Sequence, residues 1–222
     1  MIHLAPDTRC YLCGTKLTSA TYTRDHLFPE GLFPRPLPSD LPPRLPACKR
    51  CNNGLSKDEE FFRVFVASGM AYESKAGFRI WVERIRPDLR GRRAGLKPLV
   101  QSLTKLAKVV SESGELLGHT LVLEVDPEPI NRVLRKIAKG LYYLDTGQIL
   151  PSDAQILVGY DNGQPEHFVS PPLDEAIKGA KRVDLGDGVV TYWRNTIKDD
   201  PALSLTWLEF YRDKVFLVCT CR

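Results

Sequence analysis

The hydrophobic and polar positions divide the chain into three stretches of different character. From about residue 5 to 60 no apolar period is sustained, and between Pro29 and Pro46 seven of 18 positions are proline. Proline removes a backbone donor and fixes φ, so neither a regular helix nor a central strand can run through that segment, which reads as an ordered or semi-extended loop. In LSKDEEFFRVFVASGMAYES, Phe61, Phe62, Phe65 and Val66 recur at helical spacing behind an acidic first turn. They predict a helix over about 50–72. AGFRIWVERIRPDLR puts Phe78, Trp81 and Ile85 on one face of a second helix, which Pro87 and Gly91 are expected to stop, and PLVQSLTKLAKVV reads as a third. Beyond it HTLVLEV alternates like a strand, PINRVLRKIAKGLYYL reads as an amphipathic helix starting after Pro129, and AQILVGY, GVVTYWRNT, SLTWLEF and KVFLVCT are short apolar or alternating runs. Helices mixed with closely spaced late strands favour an α+β fold with a largely antiparallel C-terminal sheet. The expected division is a small module at 1–72, a helical connector at 73–110 and an accessory domain of unknown role at 111–222.

Composition narrows this little. The 222 residues are 43% hydrophobic and 26% charged, which suits a globular protein and excludes a disordered tail or a collagen-like fibre. No apolar run approaches the roughly 18–20 residues that span a bilayer, and MIHLAPDTRC lacks the pattern of a leader, so a soluble, cytoplasmic protein without a membrane partner is expected. Charge changes the picture more. Residues 1–100 carry 17 Lys and Arg against 10 Asp and Glu, a net +7, whereas residues 101–222 carry 14 against 17, a net −3. Such an asymmetry suits a chain whose first half meets a polyanion, and equally an ordinary solvated surface. The connector is basic too, with Arg90, Arg92 and Arg93 among its cations.

The cysteines carry the clearest chemistry. Cys10-Tyr-Leu-Cys13 and Cys48-Lys-Arg-Cys51 are two C-x2-C pairs in polar, turn-like sequence. Each sets two thiolates on one tight turn, and together they complete a tetrahedral four-sulfur zinc site. Four thiolates leave no open position for water, so the zinc is structural. Cys219 and Cys221 share one face of a terminal strand without a nearby ligand and read as buried or edge thiols; His3, His119 and His167 are isolated. The late aromatic residues Tyr142, Tyr143, Tyr192, Trp193, Trp207, Phe210 and Tyr211 read as core of the C-terminal domain rather than as a base-stacking platform.

Between the knuckles, Asp25-His26 ends a β-like run, and Asn52 directly follows the fourth cysteine. This constellation over about residues 8–65 resembles the HNH (ββα-metal, His-Me finger) endonuclease superfamily, with an endonuclease VII-like motif layout. The resemblance implies a zinc-stapled ββα-metal module that hydrolyses phosphodiester bonds in DNA, with RNA equally open to the same chemistry. His26 would be the general base, and Asp25 and Asn52 would hold a catalytic Mg or Mn ion. Adjacent strand residues point to opposite sides, so Asp25 and His26 can share one site only if the strand end bends. Asn53 is an alternative to Asn52. Ser56 stands where many HNH proteins have a further ligand, which is a departure from the pattern. Arg24, Lys49, Arg50 and Lys57 surround the motif and, with Arg90, Arg92 and Arg93, are candidates for phosphate contacts. A nucleotide-hydrolysing protein partner in a bacterial or phage defence complex would suit such a nuclease. The alternative reading is a catalytically silent zinc module that binds nucleic acid or a protein.

Overall fold

The computed structural model describes residues 5, 7–68, 74–92, 97, 100–101, 104–160 and 179–222. Its first half is built on a short hairpin. Strand β1 (Tyr22–Asp25) pairs antiparallel with β2 (Leu45–Cys48), Tyr22 facing Cys48 and Asp25 facing Leu45. The proline-rich excursion between them holds only a single 3-10 turn at Glu30–Leu32. Pro46 is tolerated in β2 because this two-stranded sheet has an open edge.

Helix α1 (Lys49–Gly54) leaves β2 directly and is followed by α2 (Ser56–Val66). The single helix expected over 50–72 is therefore two helices ending at Val66. Leu55, at φ −92° and ψ −7°, joins them next to Gly54, a weak position for helix propagation. Residues 69–72 of that prediction lie outside the described residues. α3 (Lys75–Ile80) is capped by Ser74, whose hydroxyl accepts from the Gly77 N–H at 2.9 Å. Of the two expected stops, Pro87 does not end the helical path and Gly91 does. The path continues through wider π-type turns at Trp81–Ile85 and Asp88–Arg92, and breaks helical geometry at Gly91, where φ is 110°. Looser turns absorb the N–H that proline lacks. The connector is fixed to α2 by the buried pair Arg63 and Asp88, 3.2 Å apart.

The helix expected from PLVQSLTKLAKVV needs correction over its second half. Thr104–Val110 is strand β3, paired antiparallel with β4 (Leu116–Leu123). Its T-K-L-A-K-V-V pattern suits a strand as well as a helix, and a partner strand one turn away decides between them. Helix α4 (Pro127–Thr146) carries out the amphipathic prediction. Asp126 caps it, Pro127 occupies its first turn, and Gly147 ends it at φ 68°. Its buried stripe comprises Ile130, Val133, Leu134, Ile137, Ala138 and Leu141.

The five remaining strands are β5 (Gln155–Tyr160), β6 (Lys181–Leu185), β7 (Val190–Ile197), β8 (Asp200–Phe210) and β9 (Lys214–Cys221). They form one antiparallel sheet in the order β5-β9-β8-β7-β6, so the fold is α+β with antiparallel sheets. Phe210 and Tyr211 are buried as expected, whereas Trp193 and Trp207 are cross-strand neighbours on the half-exposed face, with the Arg182 guanidinium 5.5 Å from the Trp193 ring. Cys219 and Cys221 lie half-buried on that same alternation of β9, which is interior to the sheet rather than an edge. One main core joins the hairpin, α2, α4 and the five-stranded sheet, and a small second cluster gathers Tyr142, Leu150 and Ala202. Phe62 of α2 meets Phe210 and Phe216 of the sheet at 5.1 and 5.9 Å, and the buried stripe of α4 joins the same cluster as Tyr11, Leu27 and Leu45. No described helix is long and apolar enough to cross a membrane.

Candidate functional site

The N-terminal knuckle is shaped by backbone hydrogen bonds. Cys10 N–H donates to Thr15 C=O at 2.9 Å, Gly14 N–H donates to Cys10 C=O at 2.8 Å, and Gly14 takes φ 75°, which a side chain would strain. The second knuckle is the start of α1, where the Cys48 sulfur caps the helix by accepting the Cys51 N–H at 3.4 Å. Tyr11 N–H, donating to Pro46 C=O at 3.0 Å, draws the two knuckles together. The sulfurs of Cys10, Cys13, Cys48 and Cys51 all lie within 4.8 Å of one another, and those of Cys13 and Cys48 are 3.9 Å apart. Tetrahedral zinc with bonds of about 2.3 Å separates its sulfurs by roughly 3.8 Å. The four residues thus fit a zinc ion, which would supply fixed geometry and positive charge for the thiolates. Burial pushes the Cys10 thiol above its ordinary range, a cost that binding a cation to the thiolate removes.

Next to this centre the chain places Asp25 and His26 in different surroundings. Asp25, the last residue of β1, is 4% exposed. Its Oδ2 accepts from the Tyr11 hydroxyl at 2.7 Å, and its Oδ1 accepts from the Lys136 ammonium at 2.8 Å. Lys136 comes from α4, is 2% exposed, and donates also to Glu59 of α2 at 2.5 Å. Burial holds Glu59 above the usual carboxylate range, although Lys136 pulls it down. Burial, and then the Asp25 charge, raise the Tyr11 hydroxyl far above its ordinary value, so it stays a donor.

His26, one residue beyond the strand, is half-buried on a different set of groups. Its Nε2 is 2.9 Å from Glu30 Oε2, and Glu30 also meets Arg35 and, at 3.9 Å, Arg44. Burial first, and the Arg44 charge second, lower the imidazole below its ordinary value, against opposing pulls from Glu30 and Asp25 and a minor push from Lys136. The Glu30 carboxylate stands beside Nε2 as a charge neighbour and not as a hydrogen-bond acceptor, and Nδ1 has no hydrogen-bond partner among the described residues, so a neutral ring keeps a lone pair for a proton.

Asn52 is neither the first residue of α1 nor its cap; it lies inside the helix, and its amide donates to Thr23 Oγ1 at 3.1 Å. Thr23 donates onward to Ala47 C=O at 3.1 Å, so Asn52 ties the helix to both strands. Asn53 is exposed, and its C=O accepts from Ser56 Oγ at 2.8 Å. The oxygen donors expected to hold a second, catalytic metal do not fit one in this arrangement. Both Asp25 oxygens are engaged, one of them by an ammonium, and only the Asn52 carbonyl oxygen is uncommitted.

Of the expected phosphate contacts, Arg24, Lys49, Arg50 and Lys57 are exposed around the hairpin and α1, and Arg90 is exposed on the connector. Arg93 and the side chain of Arg92 lie outside the described residues, as do His3 and His167. Sequence reasoning missed Glu30, Arg35 and Arg44 around His26, and Tyr11, Glu59 and Lys136 around Asp25. The i, i+4 spacing of His26 and Glu30 was a local signal; Lys136, 111 positions from Asp25, had none. It also missed a cleft of about 390 Å³ between α1 and α4, whose lining includes Arg50, Arg132, Arg135, Lys136 and Lys139. Several of these cations are already partnered, Arg132 by Asp58 at 2.7 Å and Arg135 by Glu128 at 3.0 Å, while Lys139 donates to the Leu12 carbonyl inside the first knuckle. Comparison with protein families, with curated proteins and with solved structures finds no match.

Proposed function

We propose that the hairpin, α1 and the zinc centre form an HNH-type nuclease module that hydrolyses phosphodiester bonds in DNA, with His26 as general base. The observation that supports this most is the group around the imidazole. The Glu30 carboxylate lies 2.9 Å from Nε2, Nδ1 is left free for an attacking water, and exposed Arg35 and Arg44 gather on the same Glu30 where a phosphate can be met. A base near neutral pKa that is neutral at working pH can take the water proton, a contribution of typically ~10²–10⁴ in rate. Guanidinium groups suit the developing charge on a phosphoryl oxygen.

A catalytic Mg or Mn ion at Asp25 and Asn52 has no support in the side-chain arrangement, and no step is assigned to it. A divalent ion bound elsewhere on the phosphate would neutralise charge there. The expected nucleotide-hydrolysing partner and the placing of the chain in a defence complex gain no support from the geometry.

A second reading, a silent zinc module that binds nucleic acid, is favoured by one observation, the cation-lined cleft between α1 and α4. Supercoiled plasmid separates the two. Incubated with the zinc-loaded protein, with and without Mg²⁺ or Mn²⁺, it is nicked or linearised under the nuclease reading. Retarded but intact plasmid under every condition would leave only the binding reading.

A further inference from the structure

The buried cluster behind β1 combines three elements that are far apart in sequence. Asp25 ends the hairpin strand, Glu59 lies in the first turn of α2, and Lys136 reaches in from the middle of α4. Two carboxylates converge on one nitrogen, at 2.8 and 2.5 Å, and a phenol donates to the remaining Asp25 oxygen at 2.7 Å. Two oxygens from separate carboxylates facing one point are the surroundings of a small cation, and the cation present is an ammonium on a protein tether.

We infer that Lys136 supplies, as a fixed positive charge, the cation that the hairpin's aspartate would otherwise take from solution, and that this chain therefore binds no divalent ion at Asp25. Three physical arguments carry the inference. Mg²⁺ sits about 2.0–2.1 Å from its oxygen ligands, so an ion sharing Oδ1 with the ammonium would lie roughly 4 Å from that positive charge inside the protein, where little water screens the repulsion. Mg²⁺ also keeps several waters and needs room for them, whereas Asp25 is 4% exposed. Finally, Lys136 cannot easily leave. Its side chain is 1% exposed and anchored to both carboxylates, and it lies on the buried side of a 20-residue helix whose apolar stripe belongs to the common core.

Lys136 is a positioning residue, because at that burial it reaches no substrate. By neutralising Asp25 it fixes the end of β1, and with it the point from which His26 departs. The inference meets the nuclease reading at the same hairpin and is independent of whether DNA is cut, because its test contains no DNA.

The experiment is a Mn²⁺ titration of the full, zinc-loaded chain at pH 7, followed by paramagnetic broadening of backbone amide signals. In the wild type, one equivalent of Mn²⁺ is expected to leave the amides of Tyr11, Asp25 and Lys136 no more broadened than those of the sheet. In Lys136→Ala, which vacates the point between the carboxylates, the same amides are expected to broaden selectively. Adding Asp25→Asn to that variant should abolish the effect. Selective broadening around Asp25 in the wild type would overturn the inference, and so would a folded Lys136→Ala that shows none at ten equivalents. If Lys136→Ala does not fold, the wild-type titration still decides. Plasmid cleavage stands apart from this result: a wild type that takes Mn²⁺ at Asp25 contradicts the inference and leaves His26 as base, while a wild type that neither takes Mn²⁺ there nor cuts contradicts only the nuclease reading.

Discussion

Asp25 and His26 are neighbours in the chain, yet the two polar clusters they enter have little in common. The Asp25 cluster is closed: each of its oxygens has a partner, one of them a lysine from a helix more than a hundred residues away. The His26 cluster is open, with a free ring nitrogen and two half-exposed guanidiniums gathered on one glutamate. The difference follows from where β1 ends. Asp25 is the last residue whose direction the strand still dictates, and that direction is inward. His26 has left the pleat and turns towards the proline-rich loop that supplies Glu30, Arg35 and Arg44. Polar groups closed on one another hold a fold together, whereas polar groups with unused capacity are available for chemistry.

Emptying a metal ion held by the four cysteines should have the largest effect on both clusters, since the knuckles fix both ends of the hairpin. Cys48→Ser, or a strong chelator, is expected to unfold the region around residues 7–54, read as loss of amide protection there and of one zinc per chain by metal analysis. Lys136→Met comes next and separates the clusters. Breaking a buried ion pair from one side costs about 3–5 kcal/mol, to be measured by denaturant unfolding, and adding Asp25→Asn should recover part of the loss. His26→Ala should leave stability nearly unchanged in the same assay, and an equal loss from both would erase the contrast.

Gly140→Ala should have a smaller effect. A Cβ there would stand 2.4 Å from Leu27 Cδ1 and 3.1 Å from Leu45 Cδ1, so α4 could no longer lie as close to the hairpin. Overpacking of this kind costs typically about 1–3 kcal/mol, outweighing the ~1 kcal/mol that alanine gains over glycine inside a helix. A variant more stable than wild type in thermal unfolding would contradict that packing.

The smallest effect concerns pH. Burial and Arg44 lower the His26 pKa, so the protonated form is disfavoured by the fold. Stability linked to this residue is complete above the ordinary histidine value and is lost as pH falls towards the folded one. The acid limb of a rate–pH profile should accordingly lie below about 6.5. Arg44→Gln should move it up by removing a repelling charge, and Glu30→Gln should move it down by removing an attracting one. Shifts in the same direction for both would place the titrating group elsewhere.

What could be read from the sequence was whatever is encoded locally. C-x2-C spacing is a property of one tight turn, and the two knuckles were recognisable even though their meeting depends on a hairpin of 34 intervening residues. The 3.6-residue period of α4 was equally local. The strand Thr104–Val110 was misread because a seven-residue run of alternating character takes its conformation from its partner β4. The Asp25–Lys136 pair was invisible for the same reason carried further: α4 exposes its basic residues on a face whose one buried member, Lys136, is selected by how the helix docks on the hairpin. Asn52 shows the converse. Its place after Cys51 was plain, but its side chain is occupied in holding α1 to Thr23, which no motif position reveals.

The central claim, that the open cluster carries the chemistry, is tested most directly by the single-turnover rate of plasmid nicking for His26→Ala against wild type, both zinc-loaded and of matched thermal stability. The account predicts a fall of ~10²–10⁴ with plasmid binding retained. An unchanged rate would contradict it.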